Sequence, residues 1–185
     1  MFSRISRFLR ALVVVAPLVA CAGQQSQPER LRLMLPPEAF GATVSLQQHL
    51  RIEHQGRVDE LDAALEIDSQ RLDLIALMLG QRVLSLHYDG NKLQSWRHPM
   101  VPVQLRDEDV LQDVQLSLWP VDVIRRALPA GWRIEEDGLR RILLSGDTPV
   151  TVIEYSGNPR WSGKVELTNL RYRYRLTIES VSNGS

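Results

Sequence analysis

The chain has 185 residues, 44% of them hydrophobic and 24% charged, and its 22 basic residues balance its 22 acidic ones. These values are typical of one globular domain and exclude a disordered, collagenous or coiled-coil chain. Three arginines lie in the first ten positions, so the rest of the chain is mildly acidic and lacks the basic stripe of a nucleic-acid-binding protein. The single cysteine excludes an intramolecular disulfide and a cysteine-based zinc cluster.

Residues 1–20 have the layout of a secretory signal peptide. Three arginines precede an apolar stretch from Ala11 to Ala20, which is too short to span a hydrocarbon core of about 30 Å as a helix. The next segment, Leu18-Val19-Ala20-Cys21, resembles a bacterial lipobox. This resemblance implies cleavage before Cys21, a diacylglyceryl thioether on its sulfur, and acylation of the new amine.

The lipid anchor predicts where the protein resides. Two or three acyl chains hold a protein firmly on a membrane, whereas one chain gives only marginal binding. Ala22 stands where an aspartate commonly retains such proteins in the inner membrane, so we predict the periplasmic face of the outer membrane. Residues 21–38 are predicted as the lipidated cysteine and a tether, because Gln24–Glu29 is polar, and residues 39–181 as the folded domain.

Period-2 alternation of apolar and polar residues dominates from Val44 onward and predicts half-buried strands. Turn signals at Gln55-Gly56, Ser69-Gln70, Gly80-Gln81 and Asp89-Gly90 divide this region into five strands. The segment Leu72–Leu79 is apolar almost throughout, a pattern shared by strand and helix, and its place among hairpins favours a strand. We therefore predict an antiparallel meander over residues 44–97.

The hydrophobic period becomes helical between Asp107 and Leu128. Asp107 is predicted to cap a first helix that Trp119-Pro120 ends, and Pro120 suits the first turn of a second helix. Strands resume at Trp132 and give a second group of five. We predict an α+β fold, a curved and incomplete antiparallel β-barrel of about ten strands, with the two-helix insert forming a lid over its concave face.

Three segments in this order resemble a known group of proteins: Arg82–Gly90, Leu111–Pro120 and Asn169–Tyr172. With the lipobox and the two meanders, they resemble the LolA/LolB fold of periplasmic lipoprotein carriers, and within it the bacterial lipoproteins of the domain of unknown function 3261 family. The resemblance covers most of residues 40–180 and leaves the activity unassigned.

In the LolB-type receptor, a leucine before a glycine in a loop between strands projects outward and engages lipid. The matching pair here is Leu79-Gly80, which makes Met78 and Leu79 the candidate membrane loop. The sequence departs from that pattern because Leu77-Met78 replaces a polar residue and a proline. The alternative is that Met78 and Leu79 end a buried strand.

The inventory of reactive residues predicts that the protein is not an enzyme and holds no metal or cofactor. His49 and His54 are five residues apart, so a strand places them on opposite faces, and His87 is predicted to be solvated. Cys21 is committed to the lipid, and the sequence contains no nucleophile elbow, phosphate loop or dinucleotide fingerprint.

The arginine pairs and the arginine ladder near the C-terminus have two interpretations. Arg125-Arg126, Arg140-Arg141 and the series Arg171, Arg173 and Arg175 suit an anionic headgroup or a phosphate. They also suit a solvated strand face whose charges discourage edge pairing.

We expect the protein to bind or transfer a hydrophobic ligand, an acyl, lipid or polyenyl chain, in lipoprotein or lipid localisation. Inward alternation predicts the lining residues Leu65, Ile67, Leu74, Leu84, Leu86, Val114, Leu118, Trp119, Ile124, Tyr174 and Leu176. The expected partners are the outer membrane, through acylated Cys21, and this ligand, with no nucleic acid. The alternative is a non-catalytic accessory subunit of an envelope assembly, with a packed core and no ligand.

Overall fold

A computed structural model describes residues 30–102 and 105–182 of the chain. The predicted signal peptide, Cys21 and the first part of the predicted tether lie outside these residues. The described residues from Leu31 onward form one compact unit.

The strands form two meanders separated by two helices, after a single 3-10 turn at Pro37–Phe40. The first meander comprises β1 (Val44–His54), β2 (Arg57–Ile67), β3 (Leu72–Met78), β4 (Gln81–Tyr88) and β5 (Leu93–Arg97). The helices are α1 (Asp107–Leu118) and α2 (Val121–Ala127). The second meander comprises β6 (Trp132–Asp137), β7 (Arg140–Ser145), β8 (Thr148–Tyr155), β9 (Gly163–Asn169) and β10 (Tyr174–Ser182).

All these strands form one antiparallel sheet of ten strands in the order β5-β4-β3-β2-β1-β10-β9-β8-β7-β6. The first and last strands, β1 and β10, pair at its centre and join the two meanders. The predicted α+β fold is confirmed, with ten antiparallel strands in a sheet that does not close and two helices inserted between its halves. Among the described residues, neither helix is long and apolar enough to cross a membrane.

Two element boundaries differ from the sequence predictions for physical reasons. Asp107 does not cap α1, because its carboxylate instead accepts hydrogen bonds from Arg97 and Ser95, and Arg106 occupies the cap position. The strand β10 begins at Tyr174, because the chain turns through residues 170–173 and Arg173 adopts a φ of 57°. Tyr172 therefore belongs to a turn, although its sequence alternates with Tyr174.

The helices are fastened to the second meander by side chains that reach their backbone carbonyls. Arg141 on β7 is only 2% exposed and donates hydrogen bonds to the carbonyls of Leu116 and Trp119. Its guanidinium also pairs with Glu136 at 2.6 Å. The hydroxyl of Tyr155 donates to the carbonyl of Ser117 at 2.8 Å. Arg141 therefore belongs neither to a solvated strand face nor to an anion site, because it satisfies the C-terminal end of α1.

The chain ahead of the sheet packs as part of the domain. We call residues Leu31–Pro36 the N-terminal strap: its leucines at alternate positions are buried and its other side chains are exposed. The side-chain amide of Gln115 on α1 accepts from the backbone N–H of Leu35 at 2.9 Å and donates to its carbonyl at 2.8 Å. Residues 31–36 therefore pack as part of the domain, although they lie in the segment predicted as a tether.

Candidate functional site

The residues predicted to line a ligand site meet in one apolar cluster on the inner face of the sheet. The buried members of the predicted set are Leu65, Ile67, Leu74, Leu84, Leu86, Leu118, Trp119 and Ile124. Val114, Tyr174 and Leu176 are partly buried and pack against the same cluster. Period-2 alternation therefore assigned these strand residues to the buried face, because the strands that carry them have one side in this cluster.

The same cluster contains apolar side chains that the sequence analysis assigned to the tether. Leu31, Leu33 and Leu35 of the strap lie in it, as does Phe40 from the 3-10 turn. The ring of Phe40 lies 5.0 Å from that of Trp119, centroid to centroid. The apolar interior is thus shared between residues of the sheet, residues of the helices and the chain's own N-terminal segment.

A polar group lies at the margin of this cluster, where α1 meets β10. Asp113 accepts a hydrogen bond from the hydroxyl of Tyr174, which also accepts one from the side-chain amide of Asn169 at 3.4 Å. Burial raises the pKa of Asp113 to about 7, although the Tyr174 hydrogen bond works in the opposite direction. Burial, followed by the nearby Asp113 carboxylate, raises the pKa of Tyr174. Asp113 therefore changes its charge near neutral pH.

The predicted membrane loop is a two-residue hairpin turn between β3 and β4. Leu79 and Gly80 have φ angles of 51° and 77°, and the Leu79 side chain is 99% exposed. Met78 is instead partly buried and packs against the apolar cluster. The alternative reading, that both residues end a buried strand, thus describes Met78 but not Leu79. A bulky residue at positive φ is unusual, because such turns favour asparagine, aspartate or glycine.

Two other exposed apolar side chains lie at the same end of the sheet as this turn. Val58 follows the β1–β2 turn and is 47% exposed, and Leu170 follows β9 and is 48% exposed. The β1–β2 and β9–β10 turns are neighbours because His54 pairs with Tyr174 across the two central strands. Since β3 is antiparallel to β2, its Leu79 turn points to this end as well.

A cavity of about 590 Å³ lies between these two central turns, and we call it the hairpin-end pocket. Arginine side chains dominate its polar lining, with one carboxylate among them. Its lining residues are Glu53, His54, Gln55, Gly56, Arg57, Val58, Thr168, Asn169, Leu170, Arg173, Tyr174 and Arg175. Sequence reasoning singled out the arginines near the C-terminus but did not bring them together with Arg57, which is over 110 positions earlier in the chain.

A second cavity, of about 420 Å³, lies on the outer face of β2 to β5. His87 lies there on the outer face with its side chain 42% exposed, which agrees with the prediction that it is solvated, and its Nδ1 lies 2.6 Å from the Asp73 carboxylate. Arg71 pairs with the other oxygen of that carboxylate at 2.9 Å. Ser85 shares this face, but no hydrogen bond joins it to His87 in the part of the chain that the structure describes.

Across residues 30–102 and 105–182, no three histidine, cysteine, aspartate or glutamate side chains are grouped so that they hold a metal ion.

Comparison with known families gives a match to most of the sheet and the helical insert. The family model for DUF3261, described as a protein of unknown function, matches residues 45–182. No curated protein matches the chain.

Proposed function

Because the chain belongs to the DUF3261 family, whose function is unknown, we propose its function from its own geometry. The protein is a lipoprotein of the outer membrane, anchored through acylated Cys21 on the periplasmic face. Its domain has a LolA/LolB-like carrier fold, in which the insert helices form a lid over the concave face of the sheet. It binds or transfers a hydrophobic ligand, an acyl, lipid or polyenyl chain.

The observation that carries this proposal is the N-terminal strap inside the apolar cluster. Within the described residues the strap pairs with no strand. The Gln115 amide on α1 and the Trp119 indole, which follows α1, form hydrogen bonds to its backbone. Its three buried leucines form a narrow apolar row, the same shape that an acyl chain has. A ligand chain therefore replaces the strap leucines between the sheet and α1.

The energies of this exchange are similar on both sides. Burying a leucine side chain stabilises by about 1.5 to 3 kcal/mol, so the strap leucines together contribute roughly 4 to 9 kcal/mol. An acyl chain of about ten methylenes contributes about 8 kcal/mol at about 0.8 kcal/mol for each. The apolar terms nearly cancel, so the two Gln115 hydrogen bonds that the displaced strap loses favour its return, which suits a carrier that must also release its ligand.

Native mass spectrometry of the lipidated full chain, purified from its own envelope in mild detergent, tests this proposal. We expect the mass of an acyl or polyenyl ligand on part of the population. Leu33→Ala weakens the strap and raises ligand occupancy, whereas Met34→Ala, at the exposed neighbouring position, leaves it unchanged. If Leu33→Ala lowers stability and occupancy stays the same, the strap is only a part of the core and the exchange does not occur.

We propose that Leu79 is the residue of the domain that enters the membrane. Leu79→Gln reproduces the Gln55-Gly56 turn, which has the same φ angles of 51° and 77°, so the hairpin keeps its shape. With the lipidated protein in nanodiscs, hydrogen exchange at residues 77–81 is expected to become faster in this variant. Leu139→Gln is the matched control, because Leu139 is an exposed leucine in a turn at the opposite end of the sheet. Equal exchange in Leu79→Gln and the wild type would rule out this contact.

The anchor is tested separately with Cys21→Ser, because a serine hydroxyl does not accept the thioether lipid. We expect an unprocessed product without acyl chains. Normal cleavage and membrane retention of this variant contradict the lipoprotein assignment.

A second function, an accessory subunit of an envelope assembly, is favoured by a different observation. The apolar cluster is already filled by the chain's own side chains, including Phe40 and the strap leucines. A stoichiometric protein partner after mild-detergent purification, with no lipid in the mass spectrum, supports this function over ligand binding.

A further inference from the structure

The floor of the hairpin-end pocket is a row of residues on the outer face of the four central strands. Val58 on β2 pairs with Glu53 on β1, and Glu53 pairs with Arg175 on β10. Arg175 in turn pairs with Thr168 on β9. The β1–β2 turn and the β9–β10 turn form the two walls of the pocket. The site is thus built where the beginning and the end of the sheet meet, and each meander supplies half of it.

The pocket carries an excess of positive charge. Arg57, Arg173 and Arg175 line it, and Glu53 is the one carboxylate among the lining residues. Glu53 already accepts a hydrogen bond from Arg51 at 3.1 Å, so its charge is shared with a residue outside the pocket. Three guanidinium groups in a concave site attract an anion more strongly than the same groups on a flat surface.

Among the described residues, the arginines of the β9–β10 side form no close ion pair, although Glu53 lies opposite Arg175 in the register of β1 and β10. Within the described ranges, no carboxylate oxygen lies within 4 Å of the guanidinium of Arg173 or Arg175. Arg57 forms a loose pair with Asp59 at 3.7 Å. Arg171, the remaining member of the ladder, stacks on Trp132 at 5.0 Å and is not among the lining residues. Of the three arginines in the ladder, Arg171 therefore packs within the fold, whereas Arg173 and Arg175 present their charges to the pocket.

The turn that carries Arg173 is held in one shape by hydrogen bonds. The buried Asn169 side chain accepts from the backbone N–H of Tyr172 at 2.8 Å. Nδ1 of His54 lies 3.2 Å from the carbonyl oxygen of Arg173, across the two central strands. Arg173 itself has a φ of 57°, in a region of backbone conformation that residues other than glycine rarely adopt. The arginine is thus presented by a backbone that is already ordered, which reduces the ordering cost of binding.

We propose that the hairpin-end pocket binds the phosphate group of an anionic lipid headgroup. The planar guanidinium groups of Arg173 and Arg175 match the oxygens of a phosphate, which arginine binds with paired hydrogen bonds. Exposed Val58 and Leu170 line the same pocket, so an apolar surface adjoins the phosphate position, as glycerol and acyl carbons do in a phospholipid. The choice of a lipid headgroup over a free phosphate rests on the proposed membrane contact at Leu79.

Hydrogen exchange on the lipidated full chain in nanodiscs tests the proposal. Nanodiscs of phosphatidylcholine alone are compared with nanodiscs that contain increasing fractions of phosphatidylglycerol. We expect slower exchange at residues 53–58 and 168–175 as the phosphatidylglycerol fraction rises. Each arginine near an anionic surface is worth about fivefold in affinity, so Arg173→Gln with Arg175→Gln should weaken the affinity roughly 25-fold and leave little protection at any phosphatidylglycerol fraction that half-protects the wild type. High salt should weaken the response of the wild type.

Arg140→Gln is the matched control, because Arg140 is an exposed strand arginine next to a turn at the other end of the sheet. It should respond as the wild type does. The double variant should keep the wild-type unfolding curve, since both side chains are exposed and neither has an ion-pair partner within 4 Å among residues 30–102 and 105–182. An unchanged lipid response in the double variant overturns the site.

Two further arms separate the source of the phosphate from the membrane contact. Inorganic phosphate or glycerol 3-phosphate, added to phosphatidylcholine nanodiscs, should have little effect. Equal protection by these soluble anions overturns the headgroup assignment and makes the site one for free phosphate. Residues 77–81 report the Leu79 contact in the same data. Slower exchange at residues 77–81 but not at 168–175 rejects the hairpin-end pocket as a lipid site and leaves the proposed function standing. Slower exchange at residues 168–175 but not at 77–81 rejects the Leu79 membrane contact alone.

Discussion

The two meanders of the sheet bury their inner faces in different ways. On β2, β3 and β4 the buried inner residues are leucine, isoleucine, alanine, valine and tyrosine, and they meet the strap and the helices through apolar contacts. On β7, β8 and β9 the buried inner face also includes Arg141, Thr151 and Asn169. Arg141 and Tyr155 donate hydrogen bonds to the end of α1.

This difference separates a directional interface from a non-directional one. Because the hydrogen bonds from Arg141 and Tyr155 are directional, they hold α1 in one position on the second meander. The loss of one of these hydrogen bonds leaves a buried polar group unpaired. Apolar contacts on the first meander depend on area and shape, so other apolar groups of similar volume replace them at small cost. We infer that α1 stays fixed to the second meander while the strap and the first meander form the exchangeable side of the interior.

The largest expected effect comes from breaking the directional side. Arg141→Ala leaves the carbonyls of Leu116 and Trp119 without their buried partner and leaves Glu136 with Arg160 alone, so it should destabilise the domain by about 3 to 5 kcal/mol. Urea unfolding measures this. The exposed side chain of Arg140 pairs with Glu154 at 3.6 Å, so Arg140→Ala should lower the free energy of unfolding by less than about 1 kcal/mol. Similar losses in the two variants contradict the anchoring role of Arg141.

The next effect is a pH dependence at the joint between α1 and β10. The folded-state pKa of Asp113, about 7, lies above its ordinary value of 3.8, so the folded protein keeps a proton that the unfolded chain releases. This stabilisation is complete below about pH 4, falls as the pH rises to about 7 and then stays lost, by at most about 4 kcal/mol.

Asp113→Asn should remove this slope, and its stability should exceed that of the wild type above pH 7. Asp122→Asn, a change at an exposed carboxylate on α2, is the control. Asp68 and Asp89 give an opposite slope below about pH 4, because backbone hydrogen bonds lower the pKa of each. Unfolding curves at several pH values should therefore be compared between variants. If the stability of Asp113→Asn depends on pH as that of the wild type does, Asp113 is not the source of the pH dependence.

A smaller effect should come from loosening the strap without moving α1. Gln115→Ala leaves the N–H and carbonyl of Leu35 without partners and should cost about 2 kcal/mol. Hydrogen exchange should become faster at residues 31–36 and remain slow at residues 140–155. Gln112→Ala is the control on the same helix, because the side-chain carbonyl of Gln112 has no hydrogen-bond partner in the described structure. Equal acceleration in both segments would mean that α1 and the strap move as one unit.

The smallest expected effect is a gain in stability at the tip of the first meander. Leu79→Asn places a residue that tolerates positive φ in the Leu79-Gly80 turn and should stabilise by about 0.5 kcal/mol. Thermal unfolding measures this gain, with Gln55→Asn, at the turn with the same φ angles, as its reference. If Leu79→Asn is less stable than the wild type, the positive φ of Leu79 does not destabilise the turn.

Several features of the fold and site could be predicted because the signals are local in the chain. The strands follow from two-residue alternation, their turns from signals such as Gln55-Gly56 and Asp89-Gly90, and the insert from its helical period and Trp119-Pro120. The predicted lining residues meet in one cluster for the same reason, since alternation determines which side of a strand is buried. The confirmed DUF3261 membership follows from segments that lie in these same elements.

The pair of Asp73 and His87 shows what local patterns omit. A regular hairpin through the Leu79-Gly80 turn places Leu86 opposite Asp73, but the register shifts by one residue between Ala76 and Leu77. This bulge accommodates Val83 as an extra residue, so that His87 pairs with Asp73 and both Val83 and Leu84 are buried. A bulge depends on how neighbouring strands twist and pack, which a single strand's sequence does not encode.

The sequence by itself determined the elements, their order and the inward face of each strand, because these depend on residues within a few positions of each other. Only the tertiary structure decided that the strap enters the core, that Arg141 serves α1, and that Arg57, Arg173 and Arg175 share a pocket. Each of these depends on contacts between segments far apart in the chain. The pairing of the first strand with the last creates the hairpin-end pocket, and no local period records that pairing.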